Sequence, residues 1–392
     1  NGPYMASSFL AISSYMSAAP LNPNYKSDEY EFYLNDLKPK IVLVEPNSTN
    51  SVVDVAKKLK IPICEIKIKK DQPTGFFDLF NKESNFNEPN ENDEALVLHT
   101  SGTTSRPKIV PLTNKNIYSS SLNISKSLNL TENDHCLNIM PLFHIHGLIA
   151  IIASSMKSGA SVCASNGFNA LKFLELAKSE KITWYSGVPT MHQTIMLRAE
   201  KNLELAKNLN LRLVRSSSAS LPPAVFEKLN KVFNCPVIEA YGMTEATHQM
   251  TSNPLPPKKQ KAGFVGIPAG PEVAIMNDNN QIMKNGEIGE ICIKGNNVTS
   301  GYENNPEANE SSFNNGWFRT GDQGFFDQDG YLKISGRLKE IINKGGEKIS
   351  PLEIDNVLMD HPSIEQAVCF GYEDKMLGED IATAIIVKEG MN

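Results

Sequence analysis

The stretch "LVLHTSGTTSRPKIVPLTNKNI", residues 96–117, carries five hydroxyl side chains, a glycine, an arginine and a lysine between Thr100 and Lys108. The apolar run just before it, residues 95–98, has the length and β-branching of a strand, and the segment after it reads as an amphipathic helix. Such a loop suits phosphate. Backbone N–H groups and hydroxyls can donate to phosphate oxygens, and Lys108 supplies a mobile point charge. It is not a Walker loop, which needs a second glycine directly before the lysine; Pro107 stands there. On these residues alone, a Ser/Thr-rich surface turn fits as well as a phosphate clamp.

Outward from the loop, the periodicity is that of an α/β protein. Residues 5–19 carry a small-residue, apolar helical pattern. Residues 41–45, 51–59 and 61–68 read as strand, helix and strand, which predicts a parallel layer. Residues 81–94 are polar and Asn-rich, as expected of an exposed connector. A second α/β run follows, with strands predicted at 161–164, 182–187 and 236–240 and helices at 171–179 and 222–232. From about residue 258, short alternating strands separated by Gly, Asn and Asp turns predict an antiparallel, β-rich subdomain. After residue 339 the pattern returns to helix and strand. The expected organisation is a large domain over 1–338 and the beginning of a small α+β domain over 339–392.

Composition narrows the function. The 392 residues exceed one compact core, and 40% hydrophobic with 21% charged residues fits a globular chain. A net charge of −6 argues against a nucleic-acid surface, which needs clustered Lys and Arg. The apolar stretch 139–153 is interrupted by His144, His146 and Gly147, so it reads as a buried segment rather than a membrane span. The six cysteines lack CxxC spacing, as in a reducing, intracellular compartment. Both ends read as interrupted, and a longer parent chain is expected.

Seven motifs in order carry a resemblance to the adenylate-forming enzymes, the superfamily of acyl-CoA synthetases. They are "TSGTTSRPK" (100–108), "MPLFHIHGL" (140–148), "SSSASLPP" (216–223), "EAYGMTEA" (239–246), "GEIGEICIKG" (286–295), "GWFRTGD" (316–322) and "ISGRLKEIINKGGEKISPLEID" (334–355). Three features are similar to the oxalate–CoA ligase branch, also described as a peroxisomal CoA synthetase group. They are Ser105 where the superfamily usually has glycine, "AAPLNPNY" at 18–25 and "THQMTSNPLPP" at 247–257.

The resemblance implies ATP, Mg²⁺ and CoA as partners of a small carboxylic acid. It implies a two-step reaction through an acyl-adenylate to a thioester. Thr100, Ser101, Gly102, Thr103, Thr104 and Lys108 would hold the β- and γ-phosphates, and Thr244 would contact the α-phosphate. Glu245 would bind Mg²⁺, although a carboxylate at a helix start reads alike. Glu239, Ala240, Tyr241, Gly242 and Met243 would line the adenine site, with Tyr241 stacking on the base. Asp322 would accept from the ribose and Arg337 would add a donor, against a plain β-turn over "RTGDQG".

His144 would gate the acyl and thiol channel. Lys339 would be the domain hinge, and Lys344, Gly345, Gly346 and Lys348 would contact CoA, or else form an ordinary turn. The acid would meet Ser216, Ser217, Ser218 and His248, beside Arg215. Such donors suit a second carboxylate on a short acid, because a buried carboxylate must be paired. A surface-loop histidine is the other reading of position 248. Ile109 departs from the glycine that usually follows this lysine and leaves the fine geometry of the loop open. The superfamily's adenylation lysine falls beyond Asn392, so the 392 residues alone are expected to adenylate weakly. Alternatives are a medium-chain fatty or aryl acid as substrate, or a non-catalytic nucleotide-binding homologue. The compartment reads as cytoplasmic or peroxisomal.

Overall fold

In a computed structural model, which describes residues 1–69, 71–79, 88–100, 106–359, 361–388 and 390–391, the chain packs as α/β layers followed by antiparallel sheets. The first helix is Pro3–Ser13, with Pro3 in the opening turn, where a missing N–H costs nothing. Val42–Val44 pairs in parallel with Ile63–Glu65 across the helix Val52–Lys58, as the alternation predicts. The strand predicted at 61–68 is two pieces. Beyond the buried Ile66, Lys67–Ile68 turns away to pair antiparallel with Phe77–Asp78.

The central sheet has seven strands. Their spatial order is Ile267–Pro268, His248–Ser252, Val237–Met243, Leu213–Ser216, Trp184–Gly187, His135–Asn138 and Ser161–Ala164. The last five pair in parallel, and the first two join antiparallel. Trp184–Gly187 and Leu213–Ser216 are buried at every position, as a parallel sheet covered on both faces requires. The helices Pro189–Ala199 and Pro223–Phe233 cover one face and pack on Tyr185, Val214 and Val237.

The other face meets His146–Ala153, a π-helix buried at all its residues. This segment was expected to be buried but not to widen into i→i+5 turns, which tend to occur at functional positions. Gly147 allows it, since a Cβ there would lie 2.4 Å from the Pro141 carbonyl oxygen.

One local expectation is corrected, and one alternative reading is removed. The residues after Lys108 form a strand before any helix. Ile109–Thr113 pairs antiparallel with Glu94–His99, so residues 100–108 span a hairpin, and the helix Asn114–Ser127 starts only afterwards on a Thr113 cap. "RTGDQG" is also not a turn. It lies inside the strand Trp317–Phe326, and a bulge opposite Ile291 with Gly321 at φ 76° re-aims Asp322. That strand belongs to a five-stranded sheet with Glu272–Met276, Gly289–Lys294, Phe313–Asn314 and Leu332–Arg337. The last segment forms a four-stranded sheet, Glu347–Ile349, Ile342–Lys344, Gly378–Val387 and Ile364–Asp374, beside the helix Pro351–Met359.

Candidate active site

The strand Leu213–Ser216 ends in a group of buried polar side chains on the π-helix face. Arg215 is fully buried. Its guanidinium donates to Ser186 Oγ at 3.4 Å and to Gln249 Oε1 at 3.2 Å, and it lies 3.5 Å from His248 Nδ1. Its Nε has no partner, and among the described residues no carboxylate pairs with it. Burial lowers its pKa to about 9, which still leaves it charged at neutral pH. A buried cation held only by neutral acceptors costs several kcal/mol unless an anion joins it.

Around this charge stand His146, Ser218 and His248. His146 Nε2 lies 2.6 Å from Ser186 Oγ, and its Nδ1 lies 2.9 Å from Ser218 Oγ. The His146 and His248 rings are 5.0 Å apart. Burial first, then the charge of Arg215, pushes both imidazoles well below their ordinary range, so both are neutral at pH 7. Ser218 and His248 have φ of 72° and 94°, a region costly for side-chain residues and commoner at functional sites. His248 is buried, which removes the surface-loop reading. Gly242 makes its position possible, because a Cβ there would fall 1.9 Å from the His248 carbonyl oxygen.

Of the two histidines in "FHIHG", the inner one reaches this group. His144 lies beside it: its Nδ1 accepts the His146 backbone N–H at 3.3 Å, and its proximity adds to the lowering of both His146 and His248. Ser217 Oγ donates to the Ala240 carbonyl, and Ser216 Oγ is buried without a partner.

The turn after Val237–Met243 brings a second group together. Thr244–Ala246 is a single 3₁₀ turn, too short for a helix dipole to explain the buried Glu245. Glu245 Oε1 accepts the Tyr302 hydroxyl at 2.8 Å, and the Tyr302 ring carries Lys108 Nζ at 4.4 Å from its centroid. Burial raises the Glu245 pKa, against the Tyr302 hydrogen bond and the Lys108 charge. Lys108 and Thr100 are tied across the hairpin base by Thr100 N–H to Lys108 O at 2.9 Å and Lys108 N–H to Thr100 Oγ1 at 3.1 Å. The expectations for Ser101, Gly102, Thr103, Thr104 and Ser105 lie outside the described residues.

Further along, the Tyr241 hydroxyl donates to Asp322 Oδ2, and Arg337 Nε lies 3.4 Å from Asp322 Oδ1. Burial raises the Asp322 pKa, while the Tyr241 hydroxyl opposes it. Glu290 fixes this corner by accepting the Gly321 N–H at 2.9 Å and Arg319 Nε at 2.6 Å. Glu239 is buried, with Oε1 accepting the Leu221 N–H at 2.9 Å and Oε2 unpartnered; burial lifts its pKa to about 8.

Lys344, Gly345, Gly346 and Lys348 sit apart on the small sheet. Gly345 and Gly346, both at positive φ, make the tight hairpin of the ordinary-turn reading. Lys344 Nζ is held by Asp380 at 2.5 Å. Lys339 occupies the turn closed by Glu340 N–H and Ile341 N–H to the Arg337 carbonyl.

Sequence reasoning missed Tyr302 and Ser186 and ranked Arg215 and Gln249, both among the donors read for the acid pocket, below His248. Only the position of Arg215 at the end of an apolar run could have raised it.

The AMP-binding enzyme family model matches residues 1–303. An oxalate–CoA ligase from Arabidopsis thaliana is 46% identical over 97% of this chain and 76% of its own length. One from Saccharomyces cerevisiae is 43% identical over 95% of this chain and 73% of its own length. Among solved structures, ATP-bound MatB from Rhodopseudomonas palustris superposes with TM-score 0.86 at 25% identity, over 99% of this chain and 82% of that one. The o-succinylbenzoate CoA synthetase of Bacillus subtilis with its acyl-adenylate matches with TM-score 0.86 at 28% identity, over 100% of this chain and 78% of that one.

Proposed function

This chain belongs to the AMP-binding enzyme family, and on that premise we propose that it is an AMP-forming acid–CoA ligase whose acid is oxalate. The observation that carries the choice of acid is Arg215, a buried guanidinium with no carboxylate partner among the described residues, beside His146, Ser218 and His248. The similar oxalate–CoA ligases support the same reading. A fatty or aryl tail would leave that charge unpaired in a buried site, whereas the second carboxylate of a short diacid satisfies it.

In the first half-reaction one carboxylate oxygen of oxalate attacks the α-phosphorus of ATP. The bond to the bridging oxygen of the β-phosphate breaks, and pyrophosphate leaves. In the second, the CoA sulfur attacks the acyl carbon, gives up its proton, and AMP leaves with the C–O electron pair. Both steps gather negative charge, so fixed donors and cations lower the barrier more than a protein nucleophile would.

Arg215, with the neutral His146 and His248, orients the distal carboxylate so that the near one faces the nucleotide. Lys108 meets the β/γ-phosphates with Thr100 to Thr104, and Thr244 the α-phosphate. Tyr241 and Gly242 line the base site with Glu239, Ala240 and Met243. Asp322 and Arg337 hold the ribose.

Glu245 fits Mg²⁺. It is one buried carboxylate, and among the described residues there is no three-ligand cluster, which suits an ion that takes one or two carboxylates plus substrate phosphates. Bound there, Mg²⁺ neutralises charge on the phosphates. Lys339 is the hinge of a small domain over 339–392 that carries Lys344, Gly345, Gly346 and Lys348 to the CoA. His144 lines the route to it. No helix among the described residues is long and apolar enough to cross a membrane. The compartment is cytoplasmic or peroxisomal on this reading.

A panel of acids assayed for pyrophosphate release with the full-length protein tests the proposal. Oxalate should give the highest kcat/KM. Activity with hexanoate or coumarate and none with oxalate would overturn it, and no release with any acid would favour a non-catalytic homologue.

A further inference from the structure

Asp36 lies in the last turn of the helix Ser27–Leu37, far in sequence from every motif above. Its side chain is only 13% exposed, and both oxygens are engaged. Oδ2 lies 3.0 Å from His99 Nε2, and Oδ1 accepts from Arg106 at 2.5 Å. His99 closes one leg of the 100–108 hairpin, and Arg106 opens the other.

The same helix supplies the rest of the seat. Tyr33 packs edge-on against the His99 ring at 4.7 Å and is itself stacked on Tyr25 at 4.7 Å. Phe32 lies under the Arg106 guanidinium at 5.2 Å. One helix face thus grips both legs of the hairpin through a single carboxylate. The grip passes inward, because His99 pairs with Ile109, and the Ile109 carbonyl accepts the Glu303 N–H, next to the Tyr302 that contacts Lys108 and Glu245.

We infer that Asp36 is a positioning residue for the phosphate end of the nucleotide site. It sets the separation and direction of the two legs that carry Thr100 and Lys108, through His99 and Arg106. The inference rests on the reading of Lys108 as a β/γ-phosphate contact. A carboxylate that touches no substrate can act this way because small displacements of a positioned cation weaken its contacts steeply. Among the described residues the Asp36 carboxylate bonds to His99 and Arg106 and to none of the residues assigned to the acid, base or ribose, so its effect is expected at the terminal phosphates.

The test compares ATP with AMP. In full-length protein, Asp36→Ala should raise the KM for ATP about tenfold, with kcat within twofold and the KM for oxalate unchanged. The Kd for AMP, measured by calorimetry, should not move. A loss of AMP affinity parallel to that for ATP would show a merely structural role and overturn the inference, as would an unchanged KM for ATP.

Should Asp36→Ala fail to fold, Arg106→Met, at a largely exposed side chain, replaces it. It should shift the KM for ATP about threefold in the same direction, again with AMP unaffected. No shift there overturns the inference. Failure of the underlying functional reading is separable, since wild-type protein would then release no pyrophosphate with any acid.

Discussion

Arg212 and Arg215 stand three residues apart at the same sheet strand, and the protein treats them oppositely. Arg212 holds Asp134 through Nε at 2.6 Å and NH2 at 2.9 Å and also donates to the Leu128 carbonyl at 2.9 Å. Burial alone would push the Asp134 carboxyl up, yet the Arg212 hydrogen bonds outweigh it and hold it below its ordinary range. Arg215, more deeply buried, has only serine, glutamine and histidine for company. The first pair is complete within the fold and ties the helix Asn114–Ser127 to the sheet. The second charge is left incomplete by the fold, as a site for an anion requires. Glu239 is the acidic counterpart of Arg215, buried with one oxygen unpartnered and with no cation beside it among the described residues.

The largest effect should come from breaking the incomplete member. Arg215→Met removes the cation that reads the distal carboxylate, so kcat/KM for oxalate should fall about a thousandfold, corresponding to about 4 kcal/mol. Stability to denaturant should stay level or rise, since an apolar side chain replaces an uncompensated charge. A loss of stability matching the loss of activity would erase the contrast.

Arg212→Met should do the reverse. It leaves the Asp134 carboxylate buried without its partner and should cost about 3 kcal/mol in urea unfolding, with the KM for oxalate unchanged.

Oxalate itself sharpens the contrast next. At about a hundred times its Kd it should stabilise the wild type by about 2.7 kcal/mol in thermal or denaturant unfolding, and Arg215→Met should show no such gain.

The smallest step, counted per pH unit, concerns Glu239. Its folded pKa of about 8 lies above the unfolded value, so folded protein keeps the proton while unfolded chain releases it. Stability from this group therefore falls as pH rises from about 4.5 to about 8 and is flat beyond. Glu239→Gln should gain on the wild type across that window, by at most about 1.4 kcal/mol per pH unit. A constant difference would mean that Glu239 is already ionised.

Much of this was legible in the residues. The order of the motifs around Lys108, Tyr241 to Glu245 and Asp322 pointed to the family and to ATP, and helix and strand periodicity placed most of the sheet elements. The misses have local causes. "IVPLT" did not read as a strand because the segment after Lys108 reads as an amphipathic helix; the strand forms even with Pro111 inside it. It survives because the hairpin has only two strands, where a missing N–H can face away from the ladder. "RTGDQG" carries turn residues, but they serve a bulge within a long strand. His146 drew no role beside His144, since sequence alone cannot show that the π-turn brings it against Ser186 and Ser218.

The sequence by itself determined the family and the two-step chemistry, because these depend on residue types in a fixed order along the chain. Only the tertiary structure decided which charges are spoken for. Arg212 finds Asp134 at a separation of 78 residues and Arg106 finds Asp36 at 70, while Arg215 finds no acid among the described residues. Partnership in an ion pair is a matter of distance and burial, which the fold sets and the order of residues does not print.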